Sequence, residues 1–239
     1  MDIERNLAIV QQNMKLASEK AGRDVSDILL VGATKMNDAE TVQRAIRAGL
    51  KYCGENRVQE MLEKQKQGAY KGAELHFIGH LQKNKVKNVV GTAALIHSVD
   101  SFELMECISK AALTKGIVQD ILIEINVANE AAKSGFKPGE FASALDHAAS
   151  LEGLRVRGVM AVPPICAVGE ENRPYFTLIQ QLFIDNSEKK YDNVCMDFMS
   201  IGMSGDYMTA IECGANMIRI GSAIFGPRNY QHGGSPANG

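Results

Sequence analysis

Apolar runs of strand length alternate with helix-period segments along the whole chain, and this alternation constrains the fold more than any other feature. Ile3, Leu7, Val10, Met14 and Ala17 stand at helical spacing, so an amphipathic helix opens the sequence. Residues 28–33 are a short apolar run that reads as a buried parallel strand. Asn37 or Asp38 can cap a following helix whose inner face is Val42, Ala45 and Ile46 and whose end is Gly49. A strand near 51–55 precedes a helix through Val58, Met61 and Leu62. Strand-like segments recur near 74–79, 94–99, 120–127, 154–161, 197–202 and 216–221. Helical stretches lie between them at 83–90, 101–115 (with Ser101 as cap), 138–151, 171–187 and 205–213. Strands alternating with helices imply a parallel sheet with right-handed crossovers.

Eight such units match the small end of the (β/α)₈ range, roughly 200 residues and upward. A doubly wound open sheet is the competitor, but it carries a glycine fingerprint after its first strand. Here that strand ends Gly32-Ala33-Thr34-Lys35, without that spacing. The expected architecture is α/β, a (β/α)₈ TIM barrel with an extra N-terminal helix, in one domain over residues 1–230. The Gly-, Ser- and Pro-containing stretch 231–239 reads as a disordered tail.

Composition narrows the function. The 239 residues carry 26 Lys plus Arg against 28 Asp plus Glu, a net charge of −2, so no basic surplus points to nucleic acid. The charged start Met1–Arg5 has no apolar core, and no secretory leader is expected. No run of ~18 or more apolar residues occurs, so no membrane-spanning helix is expected. The five cysteines (Cys53, Cys107, Cys166, Cys195, Cys213) are odd in number and scattered, with no C-x-x-C pair. They read as reduced thiols of a cytoplasmic protein without a structural metal.

In a barrel the reactive groups stand at the C-terminal ends of strands. Lys35 closes the first strand, where partial desolvation favours the nucleophilic amine. Taken alone it also reads as a solvated lysine flanking a strand. The last strand runs into Gly221 and Ser222, and the one before it ends Ser200-Ile201-Gly202-Met203-Ser204-Gly205. Barrels often bind phosphate in these two loops, on backbone N–H groups at a short helix, although the same glycines could serve only tight turns. Barrel closure sets strand one beside strand eight. An amine there and a phosphate cradle opposite suit a phosphorylated aldehyde, and pyridoxal 5′-phosphate (PLP) has both handles. Asn56, His76 with Phe77, Asn126 and Met160 are strand-end groups that could line a ring-sized pocket, while His76 alone reads more simply as a core histidine. Lys83, Lys85 and Lys87 read as a solvated face.

These segments resemble the PLP homeostasis proteins, single-barrel relatives of the N-terminal domain of alanine racemase. The resemblance runs through residues 32–35, Gly54-Glu55-Asn56-Arg57-Val58-Gln59-Glu60, His76 to Lys85, Lys133-Ser134-Gly135, Arg157 to Ala161, Ser200 to Ser204 and Arg219 to Gly226. It covers nearly the whole chain. It implies a fold-type III PLP protein with Lys35 as the Schiff-base lysine. Gly221 and Ser222 would hold the phosphate with help from Ser200 or Ser204. Arg219 would face the pyridine nitrogen, and Asn56, His76 and Met160 would line the ring. Thr34 stands where the family more often has Ser, and Met199-Ser200-Ile201 where it more often reads Leu-Ser-Met. Both departures keep hydroxyl or apolar character.

The function this implies is vitamin B6 homeostasis, with PLP held reversibly, no catalytic residue and no metal. Apo forms of PLP enzymes are the expected protein partners, in a monomer or a dimer, with neither nucleic acid nor membrane. The alternative is an amino-acid racemase, which needs a second acid/base on the far face of the substrate. In alanine racemase the resemblance assigns that role to a tyrosine from the partner subunit. None of Tyr52, Tyr70, Tyr175, Tyr191, Tyr207 or Tyr230 can be placed opposite Lys35 from sequence. Eight units and the leading helix occupy nearly all the residues, so a racemase-type second domain is not expected.

Overall fold

The computed structural model describes residues 2–130, 132–164, 169–188 and 191–227. Eight parallel strands close in chain order into a barrel. They are β1 (Leu29–Ala33), β2 (Tyr52–Glu55), β3 (Glu74–Phe77), β4 (Leu95–Val99), β5 (Gln119–Ile125), β6 (Leu154–Ala161), β7 (Val194–Ser200) and β8 (Met217–Ile220). Closure is made by β1 on β8, with Val31 opposite Arg219 and Gly32 opposite Ile220. The expected tail, Cys166 and Tyr230 lie outside the described residues. Cys53, Cys107, Cys195 and Cys213 are free thiols, and burial pushes that of Cys53 up to about 12.

The helices follow the expected segments: α1 (Ile3–Lys20), α2 (Ala39–Arg47), α3 (Val58–Lys66), α4 (Val86–Val89), α5 (Phe102–Thr114), α6 (Phe141–Ala149), α7 (Arg173–Ser187), α8 (Tyr207–Glu212) and α9 (Ser222–Phe225). Caps stop them where short polar side chains can reach exposed N–H groups. Asp38 accepts from the Thr41 amide at 2.7 Å, and Ser101 from that of Leu104 at 3.4 Å. The apolar stripe Ile3, Leu7, Val10, Met14 and Ala17 of α1 is buried. With only four residues, α9 cannot cover the β8–β1 seam. The leading helix packs there instead, against α8 and α9, with Asn6 Nδ2 donating to the Ile224 carbonyl at 3.0 Å.

Two apolar layers result. The larger lies between strands and helices, and the smaller fills the barrel around Val31, Leu95, Leu122, Met160 and Met217. The strand expected at 197–202 instead spans 194–200. Its start is irregular, since five residues of β7 (Val194 to Phe198) oppose three of β6 (Val156 to Gly158), and this hides the alternation. Beyond Ser200 the chain turns at Gly202, whose φ of +90° favours glycine.

Candidate functional site

Lys35 lies three residues past Gly32, and Gly221 directly follows Ile220, so the β1–β8 pairing brings their loops side by side at the C-terminal mouth. The two peptide groups flanking Lys35 are both clamped from the α3 side. The Thr34 carbonyl accepts from Lys64 Nζ at 2.8 Å, and the Met36 amide donates to Glu60 Oε1 at 2.5 Å. Lys64 also bridges Glu55 Oε1 at 2.8 Å and Glu60 Oε1 at 2.6 Å. Thr34 Oγ1 (2.6 Å) and Tyr70 Oη (3.0 Å) donate to the same Glu55 oxygen. Asn37 Nδ2 donates to the Lys35 carbonyl at 3.1 Å.

This cluster is buried at Thr34, Glu55 and Lys64. Burial pushes the Glu55 carboxyl up, and the Lys64 ammonium opposes that shift. Tyr70 is pushed up by burial and by Glu55, so it stays a donor. The clamp holds Met36 at φ 62°, a left-handed conformation that costs a non-glycine residue on the order of 1–3 kcal/mol.

Arg219 is 5% exposed and points into the barrel. Its Nη1 donates to the Ser200 carbonyl and to Ser200 Oγ, both at 2.6 Å, and its Nη2 to the Ala161 carbonyl at 3.0 Å. Burial pulls its pKa down to about 10, which still leaves a cation at neutral pH. Glu124 on β5 is half-buried, in register with Met160. Burial and Asp100 push its carboxyl up to about 7, against the pull of Arg219 and Lys133.

In the phosphate-type loop Ser204 Oγ accepts from the amides of Gly221 and Ala223, each at 3.3 Å. Asp206 braces this loop through the Met203 amide and Asn172 Nδ2, each at 2.6 Å. A methyl group built on Gly221 would meet only the Ala33 side chain at 3.5 Å and carbonyl at 3.7 Å. The protein's own packing therefore leaves room in front of Gly221. Asn56 directly follows β2, and its Oδ1 is buried without a partner. Its backbone is fixed from behind by Gly79, where a Cβ would fall 2.2 Å from the Asn56 carbonyl oxygen. An orphaned buried acceptor costs about 1–3 kcal/mol, and a bound ligand can relieve that cost.

The expected site residues thus divide. Lys35, Asn56, Ser204, Arg219, Gly221 and Ser222 gather at the mouth, with Met160 in the apolar layer beneath. Ser200 is not on the phosphate loop. It is the last residue of β7, fully buried, with its hydroxyl between Arg219 and His97 Nδ1 (3.1 Å). Both nitrogens of His76 are engaged, by Glu74 at 3.0 Å and by His97 at 3.0 Å, so it can offer a ring only a surface. Asn126 closes its own loop instead of lining a pocket, bonding Glu130 and Lys133 backbone groups at 2.8–3.1 Å.

Sequence reasoning missed the Glu55–Lys64–Glu60 clamp, His97 and Glu124. The i,i+4 pair Glu60/Lys64 and a glutamate closing an otherwise apolar strand were the available signals. Among the described residues no cluster of His, Cys, Asp or Glu could hold a metal ion, and no helix is long and apolar enough to cross a membrane.

Comparison with known proteins agrees with the barrel fold. The family model for the N-terminal domain of alanine racemase matches residues 6–229. The chain is 40% identical over 230 residues to the pyridoxal phosphate homeostasis protein of Aquifex aeolicus, covering 96% of this chain and 100% of that protein. Among solved structures it is similar to PipY of Synechococcus elongatus with PLP bound, at TM-score 0.81 and 26% identity over 94% of this chain and 100% of that one. An alanine racemase from Clostridium difficile shares the fold, at 14% identity and TM-score 0.67, over 96% of this chain and 58% of the racemase.

Proposed function

The chain belongs to the pyridoxal phosphate homeostasis proteins of the alanine racemase N-terminal domain family, and from that premise we propose that it binds PLP as a Schiff base on Lys35 and serves PLP homeostasis without catalytic turnover. The observation that carries this reading is the β1–β8 seam, which sets Lys35 beside the Gly221–Ser222 loop with a buried arginine on the same wall. The residues present fit the cofactor. The room before Gly221 suits a phosphate, and the orphaned Asn56 Oδ1 awaits a polar partner.

When bound, PLP supplies a reactive carbonyl and an electron sink. The chain's own residues then decide what is done with it. Lys35 anchors the cofactor through its amine, on a backbone clamped at both flanking peptides. The Ser222 N–H and hydroxyl would hold the phosphate at the start of α9, in the room that Gly221 leaves, while Ser204 fixes the loop by accepting from the Gly221 and Ala223 amides. Met160 forms the apolar floor. Arg219 is a fixed cation that would face the pyridine nitrogen, where it would oppose protonation and weaken the ring for carbanion chemistry. That favours storage over turnover.

The tyrosines among the described residues support the same reading. Tyr70 donates to Glu55, Tyr191 to Asp146, and Tyr207 Oη accepts from Asn13. Tyr52 opens β2 at the opposite end of the barrel, and Tyr175 packs on the helix layer. We place the protein in the cytoplasm, as a monomer that delivers PLP to apo-enzymes. The test mixes loaded protein with an apo PLP enzyme and follows that enzyme's activity, with L-alanine chirality followed in parallel. Stoichiometric activation with no loss of chirality is expected. Sustained racemisation by the pure protein would overturn the non-catalytic reading.

A further inference from the structure

Beneath the mouth, four hydrogen bonds join end to end across the barrel interior. Arg219 Nη1 meets Ser200 Oγ at 2.6 Å, Ser200 Oγ meets His97 Nδ1 at 3.1 Å, His97 Nε2 meets His76 Nδ1 at 3.0 Å, and His76 Nε2 meets Glu74 Oε1 at 3.0 Å. Ser200, His97 and His76 are at most 1% exposed, whereas the Glu74 side chain is 52% exposed. Glu74 is the first residue of β3, so it lies at the end of the barrel opposite the mouth. The chain therefore runs from the solvent-facing floor to the cation at the proposed site.

Its two ends determine its direction. A guanidinium has donors and no acceptor, and a carboxylate has acceptors and no donor. With each imidazole carrying a single proton, the Glu74 carboxylate requires a donor from His76 and the protons lie in one order. Arg219 donates to Ser200, Ser200 to His97 Nδ1, His97 Nε2–H to His76 Nδ1, and His76 Nε2–H to Glu74. Both imidazoles are neutral in this order and carry the proton on Nε2. Reversal would aim a bare His76 lone pair at the Glu74 carboxylate. Two features agree with it. Burial, His76 and Arg219 hold His97 well below the usual histidine range. The His76 hydrogen bond holds the Glu74 carboxyl below its ordinary value, so it remains an anion. Tyr52 packs its ring on His76 with centroids 5.5 Å apart, and Asp120 and Arg157 add opposing fields at Glu74.

We propose that Glu74, His76 and His97 are positioning residues for Arg219: the floor carboxylate sets the proton order that leaves the Ser200 hydroxyl lone pairs facing the guanidinium. Arg219 is thereby held in one pose at the mouth. The effect on cofactor retention rests on the PLP reading. The proton order does not.

The test is nitrogen-15 NMR on the cofactor-free protein at neutral pH, followed by the dissociation rate of PLP from loaded protein. Wild type should show His76 and His97 as neutral Nε2–H tautomers, with slowly exchanging Arg219 guanidinium signals. In Glu74→Ala, which removes an exposed side chain, the single His97 tautomer and the Arg219 protection should both be lost. PLP should leave that variant about two- to tenfold faster, the factor of one lost hydrogen bond. An Nδ1–H or doubly protonated imidazole in wild type would overturn the proposal, as would His97 signals and a PLP release rate unchanged by Glu74→Ala. A wild-type protein that takes up no PLP would defeat the cofactor reading alone, since the tautomers and the Arg219 signals are read without it.

Discussion

Lys35 and Arg219 stand on neighbouring strands at one mouth, but the barrel holds them by opposite means. Lys35 is positioned through its backbone, since the Thr34 carbonyl and the Met36 amide on either side are gripped by Lys64 and Glu60. Arg219 is positioned through its side chain, whose guanidinium is bonded to Ser200 and Ala161. The difference follows the chemistry each group is proposed to perform. A covalent anchor needs its amine directed to the ligand, so the protein fixes the peptide groups around it. A fixed cation needs only one pose, so the protein fixes the charge itself. The first arrangement uses a buried ion triad, the second neutral partners and a distant carboxylate.

The largest effect should come from breaking the Lys35 clamp. Lys64→Met leaves Glu55 and Glu60 without their cation, and removing one partner of a buried ion pair costs about 3–5 kcal/mol. Chemical denaturation of the cofactor-free protein measures it; a loss below about 1 kcal/mol would show that the triad does not organise this side of the mouth. Arg219→Lys is the matching change on the other side. An ammonium cannot reproduce the fork to Ser200 and Ala161. The expected cost is smaller, about 1–3 kcal/mol for a buried acceptor left unpaired, with a displaced absorption band in the loaded protein. Equal costs for the two variants would erase the contrast.

The smallest effect is a pH slope. Folded Glu124 titrates at about 7 against an ordinary value of 4.5. Between those values the folded state holds a proton that the unfolded state lacks. Its contribution is complete below the unfolded value and is lost as pH rises through the folded one. Glu124→Gln should therefore flatten the fall in melting temperature between about pH 5 and pH 8. An unchanged slope would remove Glu124 from the electrostatics facing Arg219.

The barrel was legible because its strands carry their own signal. Residues 28–33 are apolar throughout, and Ile3 to Ala17 keep helical period over the extra helix. The start of β7 was not, because its irregular pairing and the exposed Asp197, which meets Arg157 at 2.5 Å, break the pattern. In the site, Lys35 and Gly221–Ser222 followed from position at strand ends. Ser200, offered beside Ser204 for the phosphate, ends β7 with its hydroxyl buried between Arg219 and His97, partners that only barrel closure brings to it. The clamp was invisible for a different reason. Lys64 has the sequence context of a surface helix lysine, and only barrel closure and the packing of α3 bring Glu55 beneath it. The histidine pair likewise joins residues 21 apart, and a serine 103 residues further on, through strand packing alone.

The central claim is that Lys35 carries the cofactor. Absorption spectra of wild type and Lys35→Ala, each incubated with PLP and freed of excess, test it most directly. The account predicts a protein-bound band in wild type, bleached by borohydride with the label retained on Lys35, and no such band in Lys35→Ala. An identical band in both proteins would contradict it.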